Sequence, residues 1–328
     1  MNNKFKHQDL ILTNLLTGYK NSNFIYSLIY PAMPVPKTVG KYVTYNKEKY
    51  IDHSAVARGK GRHSQVNVID FNINTAPYQL EEWGLGAELS VAEEEGMIPS
   101  GLIPNLREEK VDMLNEALEL DREKTVADFI QDIGNYDASN VNTLDNINPG
   151  KYYWTNNVAG ANPLNQIQTG ISELREDIGM MPDTIIFGYE TARVAAQNDE
   201  VKKLAFSLAA NTTTITPMRA IEVLAQWAGI PNYAIGYSQY TTSATGVFTD
   251  IWSDICWIGN VAKNQNTAKV QSWGRMLYLA YAGMTYPAVF REMMSGTDGI
   301  EQVRLRSQET FHLINADAGY LIENCAQV

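Results

Sequence analysis

The residue types that perform acid–base, nucleophilic or metal chemistry are few in this chain and badly spaced for it. Its four histidines are His7, His53, His63 and His312, and none has a partner at a metal-ligand spacing such as H-E-x-x-H. Asp52-His53-Ser54 holds the three residue types of a catalytic triad. Sequence neighbours in a polar segment cannot aim at one another as nucleophile, base and orienter, because geometry and not adjacency defines a triad. Gly59-Lys60-Gly61 lacks the spacing and the Ser/Thr of a phosphate loop and reads as a flexible turn. Glu93-Glu94-Glu95 offers paired carboxylates, but a run of like charge is usually solvated surface. Cys256 sits in a strand-like stretch, residues 251–257, and reads as buried and inert; Cys325 has no histidine near it in sequence. Asn211-Thr212-Thr213 matches a glycosylation acceptor but has no secretory signal to give it meaning. Trp252, Trp257 and Trp273 fit core or interface aromatics better than a base-stacking platform. The residues thus assign no catalytic group, cofactor or metal, and the expectation is that the chain is not an enzyme.

Composition sets the frame. A chain of 328 residues exceeds one ordinary compact core, so one large or two smaller domains are expected. Its 45% hydrophobic and 19% charged residues describe a folded protein and exclude wholesale disorder. Two cysteines exclude a disulfide framework and are too few for a structural zinc site. The uncharged, apolar-rich stretch between Arg275 and Arg291 is too short to span a bilayer and contains Gly283, Thr285 and Pro287. No membrane partner is expected. The first nine residues lack the apolar region of a signal peptide, so synthesis in a cytoplasm is expected.

The net charge of −11 is unevenly divided. Residues 1–66 hold ten Lys/Arg against three acids, whereas residues 67–328 hold 16 Lys/Arg against 34 acids. A basic end and an acidic body would suit a chain that touches copies of itself, although chance clustering on a solvated surface gives the same arithmetic. An acidic body also lacks the concentrated basic face of a duplex-binding domain.

The elements follow from pattern. Residues 1–36 read as an arm. Phe24, Ile25, Tyr26, Leu28, Ile29 and Tyr30 form an apolar run, and Pro31, Pro34 and Pro36 disfavour helix and central strand, so an extended segment is expected. It must be buried on its own core or on a neighbouring copy. Residues 37–80 read as a long two-stranded excursion, with a strand-like run at 66–73 and a basic, glycine-rich tip at 57–62. Asn105, with Glu108 at the reciprocal capping position, opens a helix to about residue 133, roughly 43 Å long. Asn162-Pro163 opens another that Gly179 closes, Thr216-Pro217 opens one that Gly229 closes, and residues 184–188 form a short buried strand. Residues 163–290 therefore read as a mixed α/β unit. Val303, Leu305, Phe311 and Leu313 alternate with Arg304, Arg306, Thr310 and His312, a half-buried strand over 301–314 roughly 46 Å long. A helix and a strand of matching, unusual length imply a thin domain in which one lies along the other. Such a shape exposes apolar surface unless copies of itself cover it.

At this point the sequence resembles a known family. Pro31-Ala32-Met33-Pro34-Val35-Pro36 before Gly40-Lys41-Tyr42, the Arg58-Gly59 turn leading to Tyr78, and the terminal Ala318-Gly319-Tyr320-Leu321-Ile322 look like segments of tailed-bacteriophage major capsid proteins. The order of elements resembles the Hong Kong 97-type capsid fold along essentially the whole chain. The resemblance implies an α+β protein. It has an N-terminal arm (1–36), an extended loop (37–80), a peripheral domain (81–162 and 291–328, with the spine helix about 105–133) and an axial α/β domain (163–290). It implies self-assembly into hexamers and pentamers of an icosahedral shell around double-stranded DNA that it touches nonspecifically, a portal, and a scaffolding protein that is a separate chain. The chain would be made in a bacterial host cytoplasm and end in the virion. Crosslinking of Lys47, Lys49 or Lys60 is not expected, since no partner Asn or catalytic Glu is identifiable. An encapsulin-like nanocompartment shell and, from another class, a soluble enzyme with a non-contiguous site are the alternatives. Inter-subunit contacts are expected at Phe24, Ile25, Tyr26, Ile29 and Tyr30 of the arm and at Lys47, Lys49, Arg58, Lys60 and Arg62 of the loop.

Overall fold

The computed structural model describes residues 7–8, 24–44, 74–89, 106–148, 151–155, 162–208, 215–241, 247–261, 272–281, 284–285, 287–293 and 301–326. In chain order its elements begin with β1 (His7–Gln8), α1 (Tyr26–Ile29), β2 (Ala32–Val35), β3 (Val39–Thr44), β4 (Asn74–Gln79), β5 (Glu81–Leu89) and α2 (Leu106–Gln131). Then come β6 (Val141–Thr143), α3 (Pro163–Ile178), β7 (Thr184–Gly188), α4 (Tyr189–Gln197), α5 (Asp199–Leu208), α6 (Pro217–Ala228) and β8 (Asn232–Gly236). The chain closes with β9 (Gln239–Tyr240), β10 (Thr249–Asp250), β11 (Cys256–Gly259), β12 (Gly274–Tyr281), β13 (Met284–Thr285), β14 (Ala288–Met293), β15 (Glu301–Leu313) and β16 (Gly319–Glu323).

The first sheet is built on β15, whose 13 residues make it far longer than an ordinary strand. Residues 301–309 pair antiparallel with β5. On the opposite side, residues 301–306 pair with β14 and 309–313 with β12. The arm strand β2 runs parallel to β12 and so continues this sheet. Alternate residues of β15, namely Val303, Leu305, Ser307 and Glu309, are buried. Helix α2 covers that face, with Val111 and Leu118 packed on Val289, Val303 and Leu305. The expected helix lying along the expected strand is thus observed; Asn105, its expected cap, lies outside the described residues.

The second sheet has the order β6-β16-β11-β7-β8. Strands β7 and β11 are buried at every position because both faces are covered. On one face Ile185, Phe187, Ile258 and Ile322 pack against α3–α6. On the other, Ile186, Trp257 and Leu321 meet α1 and the last turns of α2, through Ile29, Val126 and Ile130. The caps are those expected. Asn162 accepts from the Leu164 and Asn165 amides, Thr216 accepts from the Arg219 amide, and Gly179 and Gly229 terminate α3 and α6 at positive φ.

Two strands pair across the domain boundaries that the sequence suggested. Strand β16, from the segment 291–328, lies between β6 and β11 in the α/β sheet. Its residues 319–322 are buried without alternation, which only a sheet covered on both faces satisfies. Strand β12, expected with the α/β unit, instead extends the β15 sheet. Trp252, Trp257 and Trp273 are fully buried core, and Cys256 and Cys325 are buried free thiols.

Candidate assembly surfaces and the helix that positions them

A run of charge on α2 sets how the parts of the chain sit together. Glu119, Arg122 and Glu123 are spaced to share one helical face, and that face is turned inward. The Glu123 side chain is fully buried. Its Oε2 accepts from the backbone amides of Ile25 at 2.9 Å and Tyr26 at 2.8 Å, and its Oε1 accepts from Trp252 Nε1 at 2.7 Å and Ser238 Oγ at 3.1 Å. One carboxylate therefore caps α1 and ties down the loop before β11. Burial pushes its pKa up, and the four hydrogen bonds oppose that shift.

Beside it Arg122 makes a two-pronged contact with Glu309 of β15, Nε and Nη2 each at 2.5 Å, and a third with Glu119 at 2.5 Å. Tyr26 Oη donates to the other Glu119 oxygen at 2.6 Å. Burial works against the Arg122 cation, but Glu309 more than compensates and holds its pKa above the ordinary value. At the end of α2, Gln131 donates to the Ile251 carbonyl at 3.1 Å and accepts from the Ser253 amide at 3.0 Å. The arm, the β15 sheet and the α/β unit are all fastened to one helix.

This network changes the reading of the arm. Tyr26–Ile29 form one helical turn and not an extended segment, since the prolines begin only after Tyr30 and leave the residues before it free to coil. Ile25, Tyr26, Ile29 and Tyr30 are buried in the chain's own core, and Phe24 is half-buried. Tyr30 meets Phe129 and Phe311 edge-on, with centroids 6.0 and 5.7 Å apart. Of the two covers expected for this run, its own core or a neighbouring copy, the chain itself supplies the first for these four side chains. Pro34 sits in β2 at the margin of the sheet, where its missing amide costs nothing.

The excursion is visible at its root. Strands β3 and β4 pair antiparallel with each other and, among the described residues, with nothing else. Val35, Tyr78, Leu80 and Leu277 form a small core under them. The Tyr78 ring lies against Gly40 so closely that a Cβ there would stand 2.7 Å from it. Tyr42 lies 4.9 Å from the His312 ring and donates to the Leu313 carbonyl at 3.2 Å. Lys47, Lys49, Arg58, Lys60 and Arg62, together with the expected strand at 66–73, lie outside the described residues. So do Asp52-His53-Ser54, Gly59-Lys60-Gly61, Glu93-Glu94-Glu95 and Asn211-Thr212-Thr213. Among the described residues no cluster of His, Cys, Asp and Glu could hold a metal ion, and no helix is long and apolar enough to cross a membrane. The buried network on α2 escaped sequence reading because charged residues in a polar stretch look like a solvated face.

Comparison with known proteins places this architecture. No family model matches the chain. Over 327 residues, 97% of each chain, it is 28% identical to the curated major capsid protein of Burkholderia phage BcepMu. The crystal structure of a phage-related protein from Bordetella bronchiseptica RB50 superposes with a TM-score of 0.75 at 21% identity, covering 98% of this chain and 99% of that one. The capsid of cyanophage P-SCSP1u superposes at 0.54 with 9% identity, over 93% of this chain and 89% of the other. The architecture is the Hong Kong 97-like capsid fold. The long helix, the long strand and the two-stranded ribbon are its parts, and the likeness in sequence to a curated phage major capsid protein runs over 97% of the chain.

Proposed function

We propose that this chain closes into the icosahedral shell of a virion through hexamers and pentamers of itself, encloses double-stranded DNA held by nonspecific contact, and performs no catalysis. A portal and a separate scaffolding protein would accompany it. The observation that carries this reading is the β3–β4 ribbon: its root packs on the body through Leu277, but among the described residues its strands pair only with each other, which leaves both outer edges open to a neighbour. In this reading the ribbon lies on a neighbouring copy. The basic residues between its strands in sequence, Lys47, Lys49, Arg58, Lys60 and Arg62, meet the neighbour's acidic body. Exposed charge pairs contribute about 0–1 kcal/mol each, so they set register more than affinity.

Negative-stain microscopy of the expressed protein tests the shell: closed isometric particles are expected, and a species that stays monomeric at every concentration overturns it. Nucleic acid inside particles from infected or induced cells supports a genome shell, whereas a protein cargo would make it a nanocompartment.

A further inference from the structure

The root of the ribbon encloses a cleft of about 410 Å³ between β2, β3 and β4 on one side and β12 and the end of β15 on the other. Its wall is apolar, formed by Val35, Tyr78, Leu277 and Ile314 among others. Its charged lining is of one sign. Lys37 and Lys41 stand exposed at the rim, Arg275 is buried in the wall, and among the described residues no carboxylate lines it. Lys37 and Lys41 belong to the basic first 66 residues, and with Arg275 they set three cations around an apolar hollow. An apolar cavity with a few convergent polar groups is what a small-molecule site looks like.

We propose that this cleft binds a small amphipathic anion, such as a medium-chain carboxylate, with its chain on Val35, Tyr78, Leu277 and Ile314 and its head group at Lys37 and Lys41. The bound molecule touches β2, β3, β4 and β12 together, so it braces the ribbon against the body. A ligand that binds only the folded arrangement stabilises it by mass action. The proposal stands on the cleft alone and does not depend on shell formation.

The test is calorimetric titration of the full chain with decanoate, decanol and decyltrimethylammonium. Saturable binding of decanoate is expected, about tenfold or more tighter than either control, since only the anion gains from the lysines. In the doubly charge-reversed variant Lys37→Glu/Lys41→Glu the preference should invert toward the cation. Both positions are exposed, and an unchanged urea midpoint will confirm that the variant folds. A photoreactive decanoate should label residues 33–42 or 275–277 by mass spectrometry. Equal affinity for the three probes, labelling confined to other residues, or loss of decanoate binding on assembly would each overturn the proposal. In the last case the cleft would be filled by a neighbouring copy.

Discussion

Replacing Glu123 by glutamine tests whether a single buried carboxylate fastens the arm to the body. Both of its oxygens accept two donors, from Ile25 and Tyr26 on one and from Trp252 and Ser238 on the other. Glutamine keeps the volume but has only one acceptor oxygen. With that oxygen on the two amides, its NH2 can donate to Ser238 once the hydroxyl turns, but it meets the Trp252 indole N–H donor to donor. One orphaned buried donor plus the lost charge assistance should cost about 2–3 kcal/mol. Trp252→Phe removes the offended donor and adds a cavity of its own. In a double-mutant cycle read by urea denaturation, the double variant should therefore be about 1–2 kcal/mol more stable than the two single effects predict. Additive effects, with coupling under about 0.5 kcal/mol, would refute the argument, because they would mean that Trp252 and Glu123 do not depend on each other.

Arg122→Met leaves Glu309 buried without its cation and should lose about 3–5 kcal/mol in urea, while Arg122→Met/Glu309→Leu should recover most of that loss. Burial lowers the His312 pKa, with Glu81 opposing, so the fold favours the neutral ring. Its contribution is complete above the unfolded value of about 6.5 and is lost as pH falls through the lower folded value. The urea midpoint should accordingly fall relative to that of His312→Phe on acidification below about pH 6.5, and a gap independent of pH would contradict this. Gly188→Ala would drive a Cβ into the Ser253 carbonyl and should yield insoluble protein, whereas Gly229→Ala, with open space around it at φ +72°, should stay soluble and lose about 1–2 kcal/mol. Deleting residues 1–36 would, on the sequence alone, leave capsomers or aggregates. The structure predicts loss of the fold itself, since Ile25, Tyr26, Ile29, Tyr30 and Val35 together bury about 7–15 kcal/mol of side-chain transfer energy. Deleting residues 1–23 should leave a cooperative thermal transition by circular dichroism, and a cooperative transition in the longer deletion would sink the claim.

How far the fold was legible depended on whether one element's own chemistry decided it. Asn162-Pro163 with Gly179, and Thr216-Pro217 with Gly229, carry their helix ends locally, and both helices run where expected. The extent of β15 is likewise written in its alternation of apolar and polar residues. Pairing between distant strands is not. Residues 319–322 are apolar throughout, which says that both faces are covered but not by which sheet. The arm shows the same limit. An apolar run followed by prolines says that something covers it, and the covering element, α2, lies about a hundred residues away and does so through Glu123, a residue that reads as surface charge. A signal for the buried network did exist in the strand pattern: Ser307 and Glu309 share the parity of Val303 and Leu305 on the buried face of β15, and a buried Glu demands a cation, which Arg122 supplies.

With residues 25–30 buried in their own chain, the question of assembly turns to the rest of the described surface. Among the large apolar side chains exposed on the described body, Met113, Tyr237 and Phe248 line one hollow with the half-buried Phe24, while Leu85, Ile147 and Trp227 stand apart from it. Single residues of the latter kind are ordinary surface. The ribbon is different in kind, because its outward edges present backbone amides and carbonyls that no strand among the described residues completes. Its root is also where the arm strand, the long strand and the ribbon converge, through Val35, Tyr78, Leu277 and the Tyr42–His312 contact. A rigid body with a braced root and an unsatisfied projection can meet copies of itself through contacts that are individually weak. On the reading that copies meet through this ribbon, the Gly40–Tyr78 and Tyr42–His312 contacts set the angle at which it leaves the body.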